Sequence, residues 1–281
     1  MRLALIANRA SGSATDPDAI AALLRRDGAT VGVHDIRAGL RVLRPRPDRL
    51  VVAGGDGSLG QYAAIAGAAS IPLAVIAAGT ANDFARALGL PLDLEAGAAL
   101  AADPGAPTRS IEVLRAGDRP FLNAASTGLS VHAAQRAHGL KRILGPLAYG
   151  VGALRAGLTA QPLRCVARVD GREIFRGQAW QVIVAGTGAF GGGAEIDSAD
   201  PGDGLADVAV LTAGHRATLV LRAYAMRAGG LTAQRGVLHG RGREVTLEVA
   251  DPVFNVDGEL VTVDPPRFSA RGERVEVLTP R

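Results

Sequence analysis

Hydrophobic and polar positions alternate in blocks over the first hundred residues. Apolar runs typical of buried strands occur at Leu3–Asn8, Thr30–Ile36, Leu50–Ala53 and Leu73–Ala77. Helical patterns lie between and after them, at Asp16–Arg26, Leu59–Ala69, Ala81–Leu88 and Leu92–Ala102. Strands that alternate with helices and are apolar on both faces predict a Rossmann-like parallel sheet with helices on both sides.

The pattern changes after Pro104–Pro107, a cluster of Pro and Gly that we interpret as a domain boundary. Short β-patterned runs follow at Ile111–Arg115, Phe121–Ala125, Arg164–Val169, Glu173–Phe175, Gln181–Ala185, Ala206–Leu211, Val245–Val249, Val253–Val256, Leu260–Val263 and Val275–Leu278. Helical patterns occur at Leu140–Leu158 and Arg216–Arg227. Many short strands separated by turn residues predict an antiparallel β-sandwich or barrel.

These patterns predict two domains with a site in the cleft between them. We expect an α/β domain over residues 1–107 and a mostly antiparallel β domain over residues 108–281. The last strand could return to the first domain. Ligand sites commonly lie at domain interfaces, which is why the cleft is the expected place.

Composition excludes several classes of function. Of 281 residues, 48% are hydrophobic and 21% charged, a balance typical of a folded protein. The net charge of +4 is spread along the chain, so it does not indicate nucleic-acid binding, although it permits anionic ligands or an anionic membrane surface. Cys165 is the only cysteine, which rules out an intrachain disulfide and fits a reducing cytoplasm.

Two further classes are excluded by local sequence. Lys141 is the only lysine and no Gly-Lys-Ser/Thr triplet occurs, so the chain has no P-loop. Residues 58–82 carry no charge, but Gly, Ser and Pro interrupt them, so we expect a helix followed by a buried strand and no transmembrane segment. The sequence carries no signal for an oligomeric state.

The strongest local motif is Gly54-Gly55-Asp56-Gly57-Ser58, between a strand and a helix. Ligands of open parallel sheets bind beyond the carboxyl ends of the strands. Glycines there let backbone N–H groups approach a phosphate, and a helix N-terminus favours its charge. Asp56 would then be a carboxylate beside phosphate, able to handle a proton or a metal. The alternative is a tight turn with Ser58 as helix cap.

Two other strand ends carry small polar residues. Gly79 follows the strand that ends at Ala77, and Thr80 or Asn82 could either cap the next helix or donate to a nucleotide. The first strand leads into Asn8, Arg9, Ala10, Ser11 and Gly12. Because three such strand ends meet at one edge of a parallel sheet, we expect a single crevice there.

Asp-Gly pairs in the second half predict turns. Asp170-Gly171 predicts a hairpin, and Asp257-Gly258 predicts either a second hairpin or part of a site. The run from Asp197 to Leu205 is richer in oxygen ligands. Its carboxylates at Asp200 and Asp203, with a nearby carbonyl, could hold Mg²⁺ or form a solvated acidic turn.

Other candidate motifs are weaker. Residues Gly186–Gly191 match G-x-G-x-x-G, but no helical pattern follows, so we interpret them as a mobile loop or a substrate-facing wall and not as a dinucleotide fingerprint. The stretches Lys141–Leu147 and Arg216–Arg227 combine basic and apolar residues. Neither has a clean two-faced pattern, so we expect them to pack against the β domain, with membrane contact as the alternative.

Taken in order, five motifs resemble those of the diacylglycerol kinase catalytic-domain family. They are Gly54–Ser58, Gly79–Arg86, Phe121–Asn123 followed by Gly128, Asp200–Leu205, and Asp257–Glu259. The set is most similar to the soluble bacterial lipid kinases of this family, and sphingosine and ceramide kinases share the catalytic module. The match spans nearly the whole chain.

The resemblance implies ATP-dependent transfer of a γ-phosphoryl group to a lipid hydroxyl, with Mg²⁺. Asp56 and Glu259 would flank the transfer, with Glu259 as the proton acceptor. Asp200, Asp203 and the carbonyl of Leu205 would match a Mg²⁺ site. By motif position, the nucleotide would lie against Asn8, Arg9, Ala10, Ser11, Gly12, Gly54, Gly55, Asp56, Gly57, Ser58, Leu59, Gly60, Gly79, Thr80 and Asn82.

One departure and several alternatives accompany this resemblance. Gln61 stands where the family usually has Glu, which removes a carboxylate that could help to hold magnesium. We expect diacylglycerol as the first substrate and ceramide or a sphingoid lipid as the second, presented by a membrane to a cytoplasmic, peripherally associated enzyme. The alternatives are a nicotinamide-dinucleotide kinase, which shares Gly-Gly-Asp-Gly, and a non-catalytic lipid- or nucleotide-binding module.

Overall fold

The chain folds into two units. The computed structural model describes residues 1–7, 16–26, 28–135, 161–191, 194–196, 199–216, 219 and 230–281. Unit 1 comprises Met1–Val113 and Gly272–Arg281, and unit 2 comprises Leu114–Arg271. The sequence places the boundary after Pro107, and the structural division falls after Val113. The predicted helix at 140–158 lies outside the described residues, as does almost all of that at 216–227.

Unit 1 alternates strands and helices. Its strands are β1 (Arg2–Ala7), β2 (Thr30–Asp35), β3 (Arg49–Gly54) and β4 (Leu73–Ala77), and β5 (Thr108–Ala116) leads out of it. Its helices are α1 (Pro17–Arg25), α2 (Asp56–Ala69), α3 (Asp83–Ala87) and α4 (Leu94–Ala102), with a 3₁₀ helix at Gly39–Leu43. The order β2-β1-β3-β4 is parallel throughout, which confirms the predicted sheet.

Helices cover both faces of this sheet. On one face, Leu5, Val51 and Ile76 share a core with residues of α1 and α4. The alternate strand residues, such as Ile6 and Val52, are also fully buried, and α2 packs against β3. The strands are therefore apolar on both sides, as a sheet between two helical layers requires.

Unit 2 is mainly antiparallel, as the turn-rich pattern predicts. Its first strands are β6 (Arg119–Phe121), β7 (Ala124–Gly128), β8 (Leu163–Val169), β9 (Arg172–Ala185), β10 (Ala189–Phe190) and β11 (Ala194–Glu195). Its later strands are β12 (Ala206–Thr212), β13 (Val237–Gly242), β14 (Glu244–Val249), β15 (Val253–Val256), β16 (Glu259–Thr262) and β17 (Arg267–Leu278). The strand order is β16-β15-β7-β9-β8-β14-β17, and β12 pairs with both β9 and β13.

Strand β17 contributes to both units. Residues 267–269 pair antiparallel with β14 in unit 2. Further along, Val277 pairs in parallel with Leu73 of β4 in unit 1, and Leu278 enters the unit 1 core. The core of unit 2 has three aromatic rings at its centre, with Phe254 and Phe268 in an edge contact at 5.0 Å between centroids.

Several elements differ from those that the sequence predicts. Helix α2 begins at Asp56 and not at Leu59, because Gly55 is extended and serves as the N-cap. The two predicted strands between 173 and 185 are one long strand, β9. Strand β13 is absent from the predictions, since its Gly, His and Arg residues lack apolar alternation.

The small residues of α2 have a packing role. A Cβ atom added at Gly67 would overlap the backbone carbonyl oxygen of Arg274, a residue of β17 in unit 1. A backbone atom cannot move aside as a side chain can. Glycine at this position therefore lets α2 approach β17 closely.

We expect Gly67→Ala to lower the free energy of unfolding by about 1–3 kcal/mol, the usual cost of overpacking. Gly97→Ala in α4 is the matched control, because its Cβ would meet Ile76 at an ordinary 3.7 Å. Alanine there is expected to be neutral or to stabilise by about 0.4–1 kcal/mol. Urea denaturation followed by circular dichroism measures both, and equal effects would contradict this packing account.

Candidate active site

Two glycine loops meet at the carboxyl edge of the unit 1 sheet. One follows β3 and contains Gly54 and Gly55, and the other follows β4 and contains Gly79. The amide of Ala78 donates to the Gly54 carbonyl at 3.2 Å. A Cβ at Gly79 would lie 2.5 Å from the Cα of Gly55, so the two backbones touch without intervening side chains.

Asp56 ties these loops together. Its Oδ2 accepts from the Asp83 amide at 3.1 Å and its Oδ1 from the Phe84 amide at 2.9 Å. These N–H groups begin α3, so the carboxylate of one loop caps the helix that follows the other. A carboxylate has about four lone-pair sites, and two of them serve this cap.

Thr80 and Asn82 are the residues that the sequence offers as caps for α3, but the carboxylate of Asp56 bonds to its first amides. Asn82 occupies the N-cap position with φ +53°, but its side chain does not bond to the helix. It closes its own turn instead, accepting from the Gly79 amide at 2.9 Å and donating to the Gly79 carbonyl at 3.1 Å. Thr80 is exposed beside this turn.

The remaining predicted nucleotide residues fall into three groups. Gly57 and Ser58 lie with Asp56 in the first turn of α2, where the Ser58 amide donates to the Gly55 carbonyl at 3.1 Å. Leu59 and Gly60 are buried within the same helix, so only backbone atoms could serve a ligand there. Residues 8–12 lie outside the described part of the chain.

In unit 2, Asp257 anchors a segment that is distant in sequence. Asp257 and Gly258 have φ of +47° and +90° and form a two-residue hairpin between β15 and β16, as predicted. The Asp257 carboxylate also accepts from three successive amides, those of Leu122, Asn123 and Ala124, at 2.9, 3.0 and 3.1 Å. The turn at Asp257 thus connects β15 to β16 and also clamps residues 122–124 through their amides.

The same segment is held from its other side by the loop after β9. The amides of Gly186 and Thr187 donate to the carbonyls of Asn123 and Leu122 at 2.9 and 3.0 Å. The Thr187 hydroxyl donates to Asn123 Oδ1 at 2.8 Å, and both side chains are buried. Among the described residues, strands β10, β11 and β12 are the elements that follow Gly186, whereas a dinucleotide fingerprint requires a helix there.

Glu259 lies just after the hairpin turn, as the first residue of β16. Its side chain is 55% exposed and forms an ion pair with Arg119 of β6. Both residues belong to unit 2. A carboxylate and a guanidinium are therefore adjacent at an accessible position, next to the clamped Leu122–Ala124 segment.

Comparison with known proteins accounts for this arrangement. Residues 2–116 match the diacylglycerol kinase catalytic domain, and residues 123–279 match the YegS C-terminal NAD kinase beta sandwich-like domain. The chain is 34% identical over 239 residues to "Probable lipid kinase YegS-like" of Pseudomonas syringae pv. tomato, covering 82% of this chain and 75% of that one. The chain belongs to the diacylglycerol kinase and YegS family of lipid kinases. It is accordingly a kinase with an alcohol group as acceptor.

Solved structures show that the lipid kinase fold extends over the whole chain. A diacylglycerol kinase from Bacillus anthracis matches with a TM-score of 0.78 at 19% identity, over 99% of this chain and 97% of that one. An NAD kinase from Archaeoglobus fulgidus in complex with ATP matches with a TM-score of 0.57 at 15% identity, over 99% and 94%. An α/β unit combined with a β-sandwich is common to both.

The acidic loop of this lipid kinase precedes β12. Asp200 Oδ1 accepts from the Gly202 amide and Asp203 Oδ1 from the Leu205 amide, each at 2.9 Å. Arg241 pairs with Asp203 and lies 3.3 Å from the carboxylate of Asp207, which is buried. The donor set is entirely oxygen and suits a hard cation, although Arg241 already balances part of its charge. The described residues contain no group of three or more His, Cys, Asp or Glu arranged for a metal.

Sequence reasoning did not single out Arg119 and found only part of the role of Asp257. Asp257 is predicted as part of a hairpin or of a site, and only the fold brings the amides of residues 122–124 to its carboxylate. Arg119 sits in a short hairpin with no motif around it. The Asp-Gly-Glu sequence could have pointed to Asp257, because its aspartate and glutamate lie on one tight turn.

We expect Asp257→Asn to lower the free energy of unfolding by roughly 1.5–3 kcal/mol, because an amide group cannot accept all three N–H groups. It should also lower kinase activity, since the clamp positions Glu259. Asp170→Asn is the matched control: Asp170 caps the same type of hairpin and accepts from the amides of Arg243 and Glu244. Chemical denaturation and ATP turnover are measured on both variants.

Both amides at Asp170 bond to its Oδ1, and the carbonyl oxygen of Asn can accept both, so the control should lose less stability than Asp257→Asn. It should keep turnover. If both variants lose turnover in proportion to their stability, Asp257 has only a structural role.

Proposed function

We propose that this protein is an ATP-dependent lipid kinase that transfers the γ-phosphoryl group to a lipid hydroxyl, with diacylglycerol as the first candidate and ceramide or a sphingoid lipid as the second. The observation that carries the proposal is the pair of touching glycine loops, fastened by Asp56 beside the start of α2. This arrangement supports binding of a triphosphate in a chain without a P-loop.

The phosphate-binding role follows from backbone geometry. Gly55 and Gly79 have no side chains, which lets the two loops touch and brings their backbones together at the carboxyl edge of the unit 1 sheet. The first-turn amides of α2 and the positive end of its dipole favour an anion. We therefore assign the triphosphate to Gly54–Ser58 and Gly79–Asn82, with residues 8–12 as the further candidates that the family motif supplies.

The proton acceptor is Glu259 rather than Asp56. Asp56 accepts two backbone N–H groups as a helix cap, which commits it to the fold. Glu259 is exposed on a tight turn, and its partner in the described part of the chain is the Arg119 guanidinium. Arg119 can orient Glu259 and can also neutralise charge on the transferred phosphoryl group.

The proposed step is a direct displacement. The lipid alcohol oxygen attacks the γ-phosphorus while the bond from that phosphorus to the bridging oxygen breaks. ADP leaves with the bonding electron pair, and the alcohol proton passes to the Glu259 carboxylate. The proton becomes acidic only in the transition state, so a carboxylate suffices as base. Phosphoryl transfer depends mainly on positioning and charge neutralisation, which the amides and arginines supply.

Magnesium is the expected cofactor of this step. When bound, Mg²⁺ would neutralise oxygens of the triphosphate. Asp200, Asp203 and the carbonyl of Leu205 are the proposed ligands, and their loop is already shaped by its own Asp-to-amide bonds. Asp203 would share its carboxylate with Arg241.

The direct test is a substrate panel. Purified protein with labelled ATP is incubated with diacylglycerol, ceramide, a sphingoid base, phosphatidylglycerol and NAD, with Mg²⁺ or with EDTA. We expect label in phosphorylated diacylglycerol and loss of the product in EDTA. Label in NADP would favour the dinucleotide kinase. ATP binding without any turnover would indicate a non-catalytic module.

Glu259→Gln is expected to lower kcat by at least about a hundredfold, because it removes the proton acceptor. Asp56→Asn is expected to lower kcat by at least about a hundredfold, because the two loops that would position the triphosphate lose part of the bond between them. Their stabilities should differ, because Glu259 is exposed and Asp56 caps α3. We expect a change within about 0.5 kcal/mol for Glu259→Gln and a loss of about 1.5–3 kcal/mol for Asp56→Asn. ADP release at saturating lipid and urea denaturation provide the two readouts.

Glu248→Gln is the matched control for Glu259→Gln. Glu248 is also exposed, lies in the same unit and forms an ion pair with an arginine, Arg168. This variant should keep full turnover. Near-normal turnover in both Glu259→Gln and Asp56→Asn would refute the mechanism.

A further inference from the structure

The connection from β2 to β3 carries an exposed cluster of arginines around an exposed leucine. Residues 36–46, which we name the arginine turn, contain Arg37, Arg41, Arg44 and Arg46 and no acidic residue. All four arginines are exposed. Leu40 is 68% exposed, the largest value among the exposed large hydrophobic residues in the described part of the chain.

The 3₁₀ helix within the arginine turn sorts these residues onto separate faces. Residues three apart share a face in a 3₁₀ helix. Val42 lies on the face that packs inward and is buried. Leu40 and Leu43 form a second, partly exposed apolar face, and Arg41 and Arg44 form a third that is exposed and basic. One short helix thus presents apolar and cationic faces to solvent side by side.

The turn is held rigidly from beneath. The fully buried Tyr62 of α2 donates its hydroxyl to the Ile36 carbonyl at 2.9 Å and accepts from the Gly39 amide at 3.3 Å. Burial raises the pKa of the Tyr62 hydroxyl, so it stays protonated and remains a donor. Arg46 donates to the Ala69 carbonyl at 2.7 Å and fixes the other end.

Three of the arginines have no partner for their charge among the described residues. Within the described residues, the guanidinium groups of Arg37, Arg41 and Arg44 make no hydrogen bond or ion pair, whereas Arg119, Arg168 and Arg241 are each paired with a carboxylate. Isolated exposed leucines are common and need no explanation. A leucine fixed on a rigid turn beside unpaired cations matches a surface that is anionic and has an apolar layer beneath it.

We propose that the arginine turn docks on an anionic membrane surface, with the arginines at the lipid phosphates and Leu40 inserted among the acyl chains. The inference rests on the proposed function, because a lipid kinase must reach a substrate held in a bilayer. No helix in the described part of the chain has the length and hydrophobicity to cross a membrane. Docking through a small surface would give reversible attachment, which suits an enzyme that must release its product.

The test measures binding to vesicles of phosphatidylcholine with or without 40% phosphatidylglycerol by co-sedimentation of the full chain. We expect binding only to anionic vesicles, weakening as salt is raised. The triple variant Arg37→Gln, Arg41→Gln, Arg44→Gln should bind about a hundredfold more weakly, at about fivefold for each charge. Leu40→Ser should bind about tenfold more weakly.

Matched controls separate the effect of the arginine turn on vesicle binding from the effect of the overall net charge. Arg164→Gln, Arg172→Gln, Arg235→Gln removes the same number of exposed charges from unit 2, and Leu92→Ser removes another exposed leucine of unit 1. Both controls should bind within about threefold of the original chain. Equal weakening by the two triple variants, or equal binding to neutral vesicles, would overturn the proposal.

A calorimetric titration with ATP addresses the other anion available to these arginines. We expect the arginine-turn triple variant to bind ATP as the original chain does. Weaker ATP binding with unchanged vesicle binding would assign the turn to the nucleotide site and overturn the proposal. Vesicle binding needs no turnover, so it remains decisive even if no lipid of the panel is phosphorylated.

Discussion

The candidate site depends on one type of interaction, an aspartate carboxylate that accepts backbone N–H groups from a different segment of chain. Amides in loops and at helix starts have no partners of their own, and leaving them buried and unbonded is costly. Asp56 meets this need at the start of α3, and Asp257 meets it along residues 122–124. The geometry that a phosphoryl group and a lipid alcohol would meet is therefore set by bonds internal to each unit.

Because of this requirement, the acidic residues of the candidate site differ in how tightly they are bound to the backbone. An aspartate engaged by several amides is held in one orientation and serves as part of the framework. Glu259 has a longer side chain, and its partner among the described residues is the single guanidinium of Arg119. The acidic loop at 200–205 combines both uses, because each aspartate first shapes its own turn.

Much of the fold could be predicted from the sequence, because strand–helix alternation and Asp-Gly turns are local signals. The parallel sheet and the hairpins at Asp170 and Asp257 follow from patterns of a few residues. The clamp by Asp257 and the pairing of Glu259 with Arg119 join residues more than a hundred positions apart, and no local pattern encodes them. The order of the five motifs along the chain identified the family, although the sequence could not give the distances between their side chains.

Strand β17 has a consequence for how the protein is made. Its final residues complete the sheet and core of unit 1, although they follow all of unit 2 in the sequence. Domains usually fold as they emerge, N-terminal first. Here the N-terminal unit must wait, with the edge of β4 uncovered, until synthesis of all of unit 2 has finished. Nascent chains are consequently exposed to edge-to-edge association for most of translation.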